Sequence, residues 1–177
     1  ITTTASIAYL LQMSGEQVGM ITNALDAAEV AQYTVEQQES LSREDADDTV
    51  VGEAQSTRIS PLSVPTLRSP IQAQKVIENL ARVLPGHGLD GAALILAGFR
   101  ELPRDAALLV VTPVMSEEFA LTLASMKQAG FNVTVFFIKD LKGYEAAAAL
   151  LAPHLIHVFH IVHERDLHEI SPARIGH

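Results

Sequence analysis

From Leu102 to Ile138 the chain reads Leu-Pro-Arg-Asp, an unbroken apolar stretch Ala106 to Val111, Thr112-Pro113, a stretch of helical periodicity, Gly130, then Asn132 to Ile138. A continuous apolar run, without polar alternation, predicts a strand covered on both faces. Ser116 followed by Glu117 and Glu118 predicts a helix start, because the hydroxyl can accept an orphan N–H and carboxylates favour the positive end of the helix dipole. Phe119, Leu123 and Met126 then form an inner stripe, Gly130 closes the helix, and Val133 to Ile138 is the next strand. Strand, helix and strand in this order make a crossover unit of a parallel sheet.

The flanking sequence extends that pattern. Thr4 to Met13 predicts a helix ended at Gly15, and Gln17 to Thr22 a short buried strand. Ser69-Pro70 predicts a helix start, with Ser69 as cap and Pro70 in the first position. Ala73, Val76, Ile77, Leu80, Ala81 and Leu84 supply its apolar face. Pro85-Gly86 ends it, and Asp90 caps a further helix to about Phe99. Gly143 to Leu151 predicts an Ala-rich helix broken by Pro153, and Ile156 to Val162 the last strand. The expected fold is α/β: a three-layer sandwich with a mostly parallel sheet and helices on both faces.

Between Asp26 and Glu53 there are nine acidic residues against one base, Arg43. Such a stretch offers too little apolar surface to offset the entropy of ordering it, so an acidic mobile insertion is expected over about 26–57. Thr57 to Leu67, with Pro61 and Pro65, reads as extended and suited to an edge strand. The expected organisation is one α/β domain over 1–164 and a polar, fraying tail over 165–177. The chain opens Ile-Thr-Thr-Thr and enters an apolar helix at once, the pattern expected of a fragment.

Composition narrows the function classes. Hydrophobic residues make up 48% and charged residues 19% of the 177, the latter below the usual quarter. No stretch reaches about 18 consecutive apolar residues, so no spanning helix is expected. A formal charge of -9 argues against a nucleic-acid partner, which requires clustered Lys and Arg. With no Cys, disulfides, thiolate nucleophiles and Cys-ligated zinc are excluded.

Three segments, ITTTASIAYLLQMSGEQVGMIT, IQAQKVIENLARVLP and LPRDAALLVVTPVMSEEFALTLASMKQAGFNVTVFFI, resemble in order and spacing the bacterial family known as domain of unknown function 58. Its members carry a von Willebrand factor A-like domain. The resemblance implies a Rossmann-like A domain whose first strand would lie just before Ile1 and is lacking here. In A domains that strand ends in Asp-x-Ser-x-Ser and holds Mg²⁺ with a Thr and an Asp from other loops. This chain has no such motif, and at the end of the Ala106 strand, where an acidic ligand is expected, it reads Thr112-Pro113. The metal site is therefore expected to be absent or degenerate, with Thr112, Ser116 and Glu117 its weak remaining candidates. Mg²⁺ is expected only with an upstream Asp-x-Ser-x-Ser strand. The resemblance also implies a MoxR-type AAA+ ATPase partner and a cytoplasmic domain tethered to the inner membrane by upstream segments.

Ligands of open α/β sheets bind beyond the carboxyl ends of the strands. Those ends carry Thr22 and Asn23, Thr112 with Ser116 and Glu117, Lys139 and Asp140, and His163 with Glu164. Asn23, Thr112, Asp140 and Glu164 are the candidate partner contacts. His154, His157, His160 and His163 recur every third residue, but on a strand this spacing alternates between faces, so they are expected as edge histidines rather than one metal site. Gly86-His87-Gly88 lacks dinucleotide or Walker spacing and reads as a turn. The leading expectation is a non-catalytic protein-interaction domain. The alternative is a metal-assisted hydrolase using Glu117, Asp140 or Glu164, which requires a concave acidic pocket at the strand ends.

Overall fold

The computed structural model describes residues 1–27, 61–84, 89–99, 102–103 and 105–169. Most of the acidic segment, the Gly86-His87-Gly88 turn and the end of the tail lie outside the described residues.

The elements in chain order are α1 (Thr2–Met13), β1 (Val18–Thr22), β2 (Leu25–Asp26), β3 (Leu62–Leu67), α2 (Gln72–Arg82), β4 (Val83–Leu84), α3 (Gly91–Gly98), β5 (Ala107–Thr112), α4 (Glu117–Gln128), β6 (Asn132–Phe137), α5 (Leu141–Leu151) and β7 (His157–His160). A 3₁₀ turn follows α5 at Ala152–His154, and another covers Glu164–Glu169. The fold is mixed α/β.

Strands β5, β6 and β7 form a three-stranded parallel sheet, and α4 is the crossover helix read from the sequence. Val110 stands opposite Val135, and Val135 opposite Val158. Strand β6 is central and carries the deepest positions: Val133, Thr134, Val135, Phe136 and Phe137 are all buried. Its two faces feed two cores. Val133 and Val135 join Phe119, Leu123, Met126, Ala92, Ile95 and Leu151 on one side. Phe136 meets Ile7 and Ile161 on the other, with Leu109, Val111 and Phe159 around them.

One expectation is corrected at the first strand. The Gln17–Thr22 segment does form β1, but it does not join the parallel sheet. It pairs antiparallel with β3, Met20 opposite Val64 and Thr22 opposite Leu62, across a bulge between Val18 and Met20. A short β2–β4 pair sets Leu25 opposite Leu84. Hydrophobic periodicity identifies a strand but says nothing of its neighbour, since pairing depends on residues distant in sequence. Among the described residues, neither β1 nor β5 has a ladder partner on its second edge.

Three smaller corrections have local causes. Helix α2 starts at Gln72 rather than Pro70: Gln72 N–H donates to the Ser69 carbonyl at 3.0 Å in a preceding turn, and the Ser69 hydroxyl accepts only from Ile71 N–H at 3.4 Å. Its buried stripe is Gln72, Ala73, Val76 and Leu80, leaving Ile77 exposed. The last strand is shorter than read, ending at His160. In the described part of the tail, Leu167 packs against the Ile7–Phe136 core and Glu164–Glu169 forms a 3₁₀ turn.

Candidate functional site

The parallel register places Thr112, Phe137 and His160 in one row across β5, β6 and β7. This row is the carboxyl edge of the sheet. Ile138 N–H donates to the Thr112 carbonyl at 3.1 Å and Ile161 N–H to the Phe137 carbonyl at 2.9 Å, so the ladder runs to its rim.

Four rim side chains have local tasks. Thr112 Oγ1 donates to the Val114 carbonyl at 2.8 Å and accepts from Val114 N–H at 3.2 Å, closing the turn through Pro113. Ser116 Oγ accepts from Phe119 N–H at 3.2 Å and caps α4. Asp140 Oδ1 accepts from Gly143 N–H at 3.0 Å and caps α5. Asn23 Nδ2 donates to the Leu89 carbonyl at 2.9 Å, fastening the end of β1 to the loop before α3. Glu117, Asp140 and Glu164 are all exposed.

The fit to Mg²⁺ is poor. The ion takes near-octahedral oxygen ligands at about 2.1 Å and favours carboxylates. Of Thr112, Ser116 and Glu117, the two hydroxyls are engaged in the turn and the cap, and the one carboxylate is exposed. Among the described residues no three His, Asp or Glu side chains are grouped to hold a metal ion.

The four histidines are dispersed. His154 ends the 3₁₀ turn after α5, His157 opens β7 facing solvent, and His163 is exposed beyond the strand. His160 is half-buried and stacks on Tyr144, ring centroids 4.5 Å apart and 11° from parallel. Its Nε2 lies 2.6 Å from the Lys139 carbonyl. A carbonyl only accepts, so His160 Nε2 carries the proton and donates. This clasp ties β7 to α5 and was not legible in the sequence; Tyr144 stood only as a helical residue of α5.

Asp166 is the other unforeseen rim group. Its Oδ2 accepts from Val162 N–H and His163 N–H, each at 2.8 Å. These backbone donors hold its carboxyl below the usual aspartate value, His163 N–H contributing most and Val162 N–H next. The spacing of Asp166 three and four residues after its donors was the available signal.

A cleft of about 270 Å³ is lined by Ala124, Lys127, Gln128, Pro153, His154 and Leu155. It opens at the ends of α4 and α5, where the chain enters β6 and β7, and so at the edge of the sheet opposite the rim. The Lys127 ammonium donates there to the Leu155 carbonyl. This cleft brings together no carboxylate and does not meet the requirement of the hydrolase alternative.

Comparison of the chain with protein-family models, with curated proteins and with solved structures gives no match. Among the described residues no helix is long and apolar enough to cross a membrane.

Proposed function

We propose that this chain is a non-catalytic protein-interaction domain of A-like type, acting with a MoxR-type AAA+ ATPase and lacking a working metal site. The single observation that carries the reading is the state of the rim. Its polar groups terminate turns and helices at Thr112, Ser116 and Asp140, while Glu117 and Glu164 stand in solvent. Such a surface presents a fixed pattern of charge and backbone to a partner, and it converges on no reacting atom. The parallel β5–β6–β7 sheet with helices is compatible with a Rossmann-like A domain. Asn23, Thr112, Asp140 and Glu164 are the proposed partner contacts, and the proposed location is the cytoplasmic side of the inner membrane.

The test is calorimetry or pull-down of the chain with a purified MoxR-type ATPase. Replacing Asn23 and Glu164 together by Ala is expected to weaken capture at least tenfold, with the circular dichroism spectrum unchanged. Equal capture by the double variant, or none by the parent chain, overturns the reading. Mg²⁺ titration of the chain is expected to give no saturable heat.

A further inference from the structure

We draw no further inference here: the strongest candidate, the cleft of about 270 Å³ at the ends of α4 and α5 lined by Lys127, Gln128, Pro153, His154 and Leu155, carries nothing, because its Lys127 ammonium already donates to the Leu155 carbonyl, the ordinary task of a cation at a helix end, and nothing in the structure shows what would fill it.

Discussion

Gln72 reaches across 54 residues of sequence to Val18, its Nε2 donating to the Val18 carbonyl at 2.8 Å. The same nitrogen donates to the Pro65 carbonyl at 2.7 Å. One buried amide at the start of α2 thus serves both strands of the β1–β3 pair, on the flank of the bulge. Gln72 Oε1 has no hydrogen-bond partner among the described residues. The side chain is held by what its nitrogen gives.

Gln72→Ala removes the side-chain donor of two carbonyls and opens a small void. The expected loss is about 2–3 kcal/mol, since each orphaned buried polar group costs about 1–3 kcal/mol and the two are partly relieved by entering water. Urea unfolding followed by circular dichroism measures it. A loss under about 0.5 kcal/mol would mean that the carbonyls are solvated without Gln72.

Two glycines should fail for different reasons. A Cβ on Gly91 would lie 2.5 Å from Phe119 Cε1, and Phe119 is itself buried. Gly91→Ala should therefore cost about 1–3 kcal/mol through overpacking. Gly130 has φ +99° and nothing within 4 Å of such a Cβ, so Gly130→Ala should cost about 1–2 kcal/mol through backbone strain alone. Shrinking the ring in Phe119→Leu should rescue Gly91→Ala in a double-mutant cycle and leave Gly130→Ala unchanged.

Phe136 is fully buried and stacks on Phe159 with centroids 5.3 Å apart. Phe136→Ala is expected to cost about 3–5 kcal/mol. Phe159 is only half-buried, and its truncation should cost less. Thermal melts of the two variants rank them directly; the reverse order would contradict the assignment of Phe136 to the core.

Asp166 gives the chain one defined acid response. Two backbone N–H donors depress its carboxyl in the folded state. A group with a depressed folded value contributes stability above its unfolded value and loses it as pH falls through the folded one. The Val162–Asp166 turn should therefore hold at neutral pH and loosen only below the ordinary aspartate range. Carboxyl chemical shifts followed by NMR should place the Asp166 midpoint below that of an unstructured aspartyl peptide. In Asp166→Ala, the Val162 and His163 amides should exchange faster at neutral pH. A midpoint at or above the peptide's would contradict the two hydrogen bonds.

The rim was only partly legible. Ser116 was read as a helix cap because a hydroxyl before two glutamates is a local signal, and the 3.2 Å bond from Phe119 N–H agrees. Asp140 stands at the rim as an exposed carboxylate and also caps α5; the helix begins earlier than its Ala-rich stretch suggests. The His160–Tyr144 stack joins residues from two elements, and no periodicity carries that information.

By itself the sequence determined the local elements: the apolar runs of β5 and β6, the caps at Asp90 and Ser116, and the left-handed glycines at Gly15 and Gly130. These depend on neighbours within a few residues, where sterics and hydrogen bonding act directly. Tertiary structure decided which strands pair, and it set β1 against β3 instead of beside β5. It also turned Gln72 inward and Ile77 outward on one helix. Those choices rest on contacts across tens of residues, where an unpaired buried carbonyl outweighs the small difference in hydrophobicity that a pattern can read.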